Sequence, residues 1–404
     1  MASENLIALK SQALEKFNAF VANSVREEEW RYTNVSVLAK KKFPLAISES
    51  EINLHVLADW KLENCYHFVL VNGFFNPEAS YLPTAVDICA LSLESESEED
   101  DDFESVLEDE KNGFLILNFF HSNNGLYLNL EENEVLDKPL QIIHLTTQEV
   151  MVNTYHTVIL EENAQATIIE TFINNGNQSY LSNSVLECSL ENNAELTLYK
   201  LQNESEKAFH FGGAYIQQAE KSKFTHHNFA LGGLLARSEI HCDLETGAEC
   251  ELNGLYLGKN RQHLDNHTRI NHNKPNGVSR EFYKGILNDR ARGVFQGRVV
   301  VAKDAQKTDS QMNNRNLLLS ADAEIDTKPQ LEIYADDVKC AHGMTIGQLE
   351  EKSIFYLQSR GIDEETAKHI LTFAFANEMV DKISFEPLKV LLQKQLLNIL
   401  PIEF

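Results

Sequence analysis

Residues 161–201 read EENAQATIIETFINNGNQSYLSNSVLECSLENNAELTLYKL. Two short turns of one form, Glu161-Glu162-Asn163-Ala164 and Glu191-Asn192-Asn193-Ala194, lead into the β-type runs Ala166–Phe172 and Glu195–Leu201. A third such turn is Glu245-Thr246-Gly247-Ala248. With Gln218-Ala219-Glu220-Lys221-Ser222 between them, the turns recur roughly every 26–30 residues. A fixed period of this size marks a solenoid, in which each coil buries its apolar side only against its neighbours. The runs are strands, no helices intervene, and the turns are rich in Asn and Gly. The expected fold is therefore mainly β, a parallel β-helix. A β-sandwich would also give short strands, but with turn signals every 8–12 residues or so and hairpin dipeptides.

Outward from this stretch, the same pattern covers residues 112–344, with further strand-like runs at Phe114–Phe119, Leu126–Leu130, Gln141–Thr146, Thr157–Leu160, Ser184–Leu190, Glu249–Leu257 and Arg298–Val301. Gly212-Gly213 and Gly232-Gly233 read as turns. Residues 1–111 are mixed and largely helical. They open on an amphipathic helix to about Ser24, with Leu6, Leu9, Leu14, Phe17 and Phe20 or Val21 along one stripe. A polar-aromatic segment, Glu27–Asn34, a short strand at His67–Val71 and an apolar patch at Ile88–Leu93 follow. The acidic run Glu94–Glu110 reads as a solvated loop or helix face. It lacks the Gly turn and regular ligand spacing of a Ca²⁺ loop.

Residues 345–404 change to helical periodicity. Thr345-x-x-Gln348 has the form of a capping box. Gly361 should end that first helix as a left-handed cap, and Asp363 should cap the next. Pro387 suits the first turn of a third, over Pro387–Leu400.

Lys and Arg number 35 against 61 Asp and Glu, a net charge of −26. That balance excludes a nucleic-acid backbone or an anionic membrane surface as the main partner, since both need clustered cations. No apolar run is long enough to span a bilayer, and the first twenty residues do not read as a secretory signal. The six cysteines are sparse and contain no CxxC, which reads as reduced thiols in the cytoplasm.

Several groups could carry chemistry. His263, His267 and His272 lie four and five residues apart. On a helix such a pair could bind Zn²⁺. On a strand, positions i and i+4 stand about 13 Å apart, so hydrogen-bonded residues along a solenoid are expected. His226 and His227 face opposite ways on a strand and cannot chelate as a pair. Cys242 and Cys250 read as buried thiols. The chain has no GxSxG elbow, P-loop or GxGxxG, so no catalytic residue is assigned. The richest stretch is Gln330–Leu349, QLEIYADDVKCAHGMTIGQL. Strand period sends Cys340 and His342 to one face, roughly 6–7 Å apart at the backbone. Thiolate and imidazole are iron–sulfur ligands. Two donors alone require a partner chain or a cluster held transiently. The plainer reading is a buried thiol and a hydrogen-bonded imidazole.

The run Lys328–Leu349 resembles the hallmark of the SufB/SufD family of iron–sulfur cluster assembly proteins. Similar segments follow the family order: Glu29–Asn34 (EWRYTN), His263–Arg269 (HLDNHTR), Tyr283–Ile286 (YKGI), Val294–Arg298 (VFQGR), Ala305–Asp309 (AQKTD), Asn316–Ser320 (NLLLS) and Phe355–Gly361 (FYLQSRG). The resemblance is to the SufD branch, because Gly343 follows His342 where SufB chains carry Glu and because SufB chains are usually longer. It implies a right-handed parallel β-helix between helical regions. It also implies a cytoplasmic complex in which the β-helix pairs with SufB and the C-terminal helices dock the ATPase SufC, with a homodimer for the isolated chain. His342 matches the family histidine that, with a SufB cysteine, would hold a transient iron–sulfur cluster, and Cys340 matches a neighbouring cysteine. A reduced flavin would be a further cofactor of such a complex, though no motif here encodes a site for it. The readings from other classes are a β-helix polysaccharide-cleaving enzyme and a purely structural adaptor.

Overall fold

The structure, a computed structural model, describes residues 4–46, 54–84, 86–91 and 110–400. The side chain of Leu6 and the run Glu94–Asp109 lie outside the described residues. Helix α1 (Glu4–Asn23) is followed by short 3₁₀ turns and strands β1 (Tyr66–Val71), β2 (Phe74–Phe75) and β3 (Asp87–Leu91). Helix α2 (Gly113–His121) then leads into a continuous β region. Its strands are β4 (Gly125–Leu130), β5 (Leu140–Thr146), β6 (Met151–Leu160), β7 (Gln165–Asn174), β8 (Leu181–Leu190) and β9 (Glu195–Asn203). β10 (Phe209–Gln218), β11 (Lys223–Ala230), β12 (Leu235–Leu244), β13 (Glu249–Gly258) and β14 (His263–His272) continue it. β15 (Val278–Leu287), β16 (Arg292–Val301), β17 (Asp309–Leu318), β18 (Glu324–Ile333) and β19 (Lys339–Gly347) complete it. Three helices close the chain: α3 (Glu351–Gln358), α4 (Glu364–Val380) and α5 (Glu386–Ile399).

From β4 onward successive strands alternate between two sheets. The odd strands stack as β19-β17-β15-β13-β11-β9-β7-β5-β1 and the even strands as β18-β16-β14-β12-β10-β8-β6-β4. Every pairing along these stacks is parallel, so the fold is a parallel β-solenoid of about eight turns. The repeating turn accounts for the register. Asn163, Asn193, Lys221, Gly247, Asn276 and Lys307 all have positive φ. Asn and Gly bear that conformation at least cost. Each of these residues sends its N–H to a carbonyl of the following coil, as from Asn163 to Asn192 and from Asn193 to Glu220, both at 3.0 Å. The Ala that follows at 164, 194 and 248 is wholly buried, as are Ser222 and Thr308 at the same place in their coils, so the corner takes a small side chain.

The main core lies between the two sheets and runs the length of the solenoid. Both outer faces are partly covered. Ala376, Met379, Leu388, Leu392 and Leu396 of α4 and α5 pack on Ile169, Leu201, Leu255, Ile286 and Leu317 of the odd sheet. Lys284 fastens α4 there, donating to the Phe375 carbonyl at 2.9 Å and to Glu378. On the even sheet, Phe17, Trp30 and Phe114 pack against Phe209 and Phe211.

Four local expectations fail. Residues 114–119 are helical, not strand: the Asn112 side chain accepts the Phe114 N–H at 3.0 Å and caps α2. A short run that is apolar all round cannot distinguish helix from strand by period. Gly212 and Gly213 lie inside β10, where a Cβ on Gly212 would stand 1.9 Å from Lys200 Nζ, so the glycine is required by an interior side chain. Thr345 does not cap a helix but pairs with Arg315 in β19. The ladder outlasts the capping signal, and α3 begins at Glu351 without a side-chain cap. By contrast, Gly361 has φ +88° and Asp363 accepts the Thr366 N–H, as expected of both. In α1 the inward position belongs to Ala13, and Leu14 is exposed.

Candidate functional site

The two ends of the solenoid differ. At the first coil, β1 pairs with the antiparallel β2 and β4 with the antiparallel β3. At the other end the ladders stop at β18 and β19, with no further strand among the described residues. An unpaired strand edge presents free backbone donors and acceptors.

Cys340 and His342 stand on that last strand. Register places Cys340 on Ser310 and His342 on Met312, both buried. In an in-register parallel stack, aligned residues face the same way. Both donors therefore continue inward-facing columns: Cys250, Ser279, Ser310, Cys340 in one, and Leu252, Glu281, Met312, His342 in the other. They are uncovered only because no coil follows. Cys340 is half-buried and packs on the core, and His342 is exposed. Burial raises the Cys340 thiol above its ordinary value, while the Ser310 N–H works the other way. Met344 and Ile346 follow at the same period on β19 and are 53% and 48% exposed. Chemically, the end offers a thiol and an imidazole on one open strand, with exposed Met344 and Ile346 further along it. That suits a soft or borderline metal whose remaining ligands come from elsewhere.

The other candidates resolve differently. His263 and His267 share the outer face of β14 but are engaged separately: His263 meets the Thr33 hydroxyl at 2.9 Å, and His267 lies 3.1 Å from Asp265. His272 faces inward onto Ser279 at 2.9 Å. His226 is in the interior, while His227 stacks on Tyr199 outside it. Cys242 and Cys250 are buried.

Two clusters escaped the reading of the sequence. On the outer even face the Arg237 guanidinium lies 3.8 Å from the Trp30 ring centroid and is almost wholly buried. It donates to Glu239 and Asp265, each at 2.6 Å, and to the Glu29 carbonyl at 3.0 Å. Thr33 bonds the same Asp265 oxygen at 2.5 Å. Burial alone would raise the Asp265 carboxyl, but His267 and Arg237 outweigh it and hold the group well below the usual range. The segments EWRYTN and HLDNHTR thus form one clasp of the N-terminal region on the solenoid.

In the interior, His144, His156 and Glu170 bring one donor atom each within 4.8 Å of one another, all buried. His156 is neutral, lowered to about 3 by burial. Its Nδ1 accepts the Leu126 N–H at 2.9 Å, so its proton sits on Nε2. A metal-ligating imidazole donates from its second nitrogen instead. The trio is therefore a buried imidazole–carboxylate cluster, with His144 Nε2 3.7 Å from Glu170 Oε1. Burial works to raise Glu170, yet His144 and Lys200 bring it to about 2.

Comparison with known proteins follows the same lines. Residues 143–375 match the family described as SUF system FeS cluster assembly, SufBD core domain, and residues 1–142 match the SufBD protein N-terminal region. An iron-sulfur cluster assembly SufBD family protein of Synechocystis is 34% identical, over 90% of this chain and 84% of its own length. The iron-sulfur cluster assembly protein SufD of Escherichia coli is 32% identical, over 90% and 86%. A chloroplastic protein of Arabidopsis thaliana, ABCI7, is 34% identical over 64% of this chain and 54% of its own. Among the described residues, no helix is long and apolar enough to cross a membrane.

Proposed function

The chain belongs to the SufBD family of SUF-system iron–sulfur cluster assembly proteins, and from that premise we propose that it is a SufD-type scaffold subunit working in the cytoplasm. Its open end pairs with the end of a SufB solenoid, and its C-terminal helices dock the ATPase SufC. The chain is not itself an enzyme. ATP hydrolysis belongs to SufC, and the nascent cluster is cargo shared across the solenoid boundary. His342 supplies an imidazole ligand, neutral imidazole being the form that binds metal. Cys340 stands beside it as a second donor. Ligands from the partner complete the set.

One observation carries this reading: two inward columns end uncovered on Cys340 and His342 at an unpaired edge. A partner strand laid on β19 would satisfy the edge and bring its own donors over them. Helix α3 supports the docking assignment, since it has no buried residue and exposes Phe355 at 71% and Tyr356 at 58%.

The test is co-purification with SufB and SufC followed by anaerobic reconstitution with iron and sulfide. His342→Ala should leave the complex intact, because the side chain is exposed, and should cut the cluster absorbance of the complex at least several-fold. Wild-type cluster content in the mutant complex would remove His342 from the site.

A further inference from the structure

Glu281 of β15 points into the solenoid, in the column that carries Met312 and ends on His342. It is buried. The Thr268 hydroxyl of β14 reaches across the interior and donates to its Oε1, and its Oε2 has no hydrogen-bond partner among the described residues. The titratable groups facing it are Tyr283 on its own strand, Cys250 on β13 and Cys242 on β12. β14 contributes the Thr268 hydroxyl and β17 the Met312 thioether. Two thiols, a phenol, a hydroxyl and a thioether supply no positive charge. A carboxylate formed there would be desolvated on one oxygen and supported by a single donor on the other.

We propose that Glu281 is held as the neutral acid and that its ionisation opens the coils built by β15, β17 and β19. The end bearing Cys340 and His342 is then the part of the molecule whose order is set by pH. Burial raises the Glu281 carboxyl from 4.5 to about 7. An acid raised in the closed form ionises first in the open one. Closure is therefore unaffected at low pH and weakens as pH rises from about 4.5 to about 7, with no further loss above. From pH 6 to pH 8 linkage gives about a tenfold rise in the opening equilibrium.

Native-state hydrogen exchange of the isolated full chain tests this, read by mass spectrometry at pH 6 and pH 8 and corrected for the intrinsic rate. Peptides from β15 to β19 should show the tenfold rise, and peptides from β8 and β9 should not. Glu281→Gln should abolish the rise. Thr268→Val, which removes the hydroxyl donor to the ionised form, should enlarge it and extend it to higher pH. A wild type flat between these pH values, or a Glu281→Gln chain that keeps the rise, would overturn the proposal. Should Glu281→Gln not fold, a Thr268→Val rise no larger than that of wild type overturns it equally.

Discussion

At the scale of single residues, the sharpest contrast is between His342 and Arg237. His342 depends on exposure, and Arg237 on burial. Arg237 is enclosed by Trp30, Glu239 and Asp265, with Thr33 completing the Asp265 oxygen. Removing one partner of a buried pair leaves the other charge uncompensated, typically a loss of about 3–5 kcal/mol. Arg237→Met should therefore lower the unfolding free energy by that amount, read as a lower urea midpoint at unchanged slope, and free the N-terminal clasp. Arg237→Lys should recover only part, since an ammonium cannot make the paired contacts of a guanidinium under an indole ring. Equal stability of Arg237→Met and wild type would mean that the clasp is an ornament of the surface. The two residues also differ in legibility. Cys340 and His342 are two positions apart on one strand, so period alone puts them together. Trp30 and Arg237 are far apart in sequence, and nothing local to either marks the other.

At the scale of elements, the solenoid was legible because its corner repeats. The left-handed residue recurs with the coil, and a small residue, Ala at 164, 194 and 248, follows it, so both leave a mark on composition. Residues 114–119 were not legible, because FLILNF is apolar at every position but Asn118 and the deciding signal is the Asn112 cap, a single side chain. Gly212 was read as a turn because the ammonium it makes room for arrives from the opposite sheet. The C-terminal helices divide along the same line. α4 and α5 are mounted on the odd sheet through Ala376, Leu388 and Leu392. Deleting the whole C-terminal region would strip that face, so loss of partner binding by such a truncation would not be specific. α3 is free of this difficulty. Phe355→Asp with Tyr356→Ser should leave the thermal midpoint within a degree or two, since exposed substitutions rarely exceed about 0.5 kcal/mol, and should abolish co-purification with SufC. Undiminished SufC recovery would move the docking surface elsewhere.

At the scale of the whole molecule, the question is whether pairing rests on charge or on the open end. A net charge of −26 would by itself draw a basic partner onto many faces. The open end is a different kind of surface: two unpaired strand edges, with Met344 and Ile346 uncovered on one of them. These explanations separate under one substitution. Placing Lys at Met344 and Ile346 puts cations on an edge strand, a device that blocks edge-to-edge addition. It also makes the chain less acidic by two charges, a minor change to the overall field. Pairing through the end should then be lost at every salt concentration, with the thermal midpoint nearly unchanged because both side chains are exposed. Pairing through general acidity should survive the substitution in dilute buffer and weaken as added salt shortens the screening length to roughly 8 Å near physiological strength. Size-exclusion chromatography of the mixed subunits at low and high salt reads both outcomes. Retention of the complex by the double mutant would take the open end, and with it the shared site at Cys340 and His342, out of the assembly.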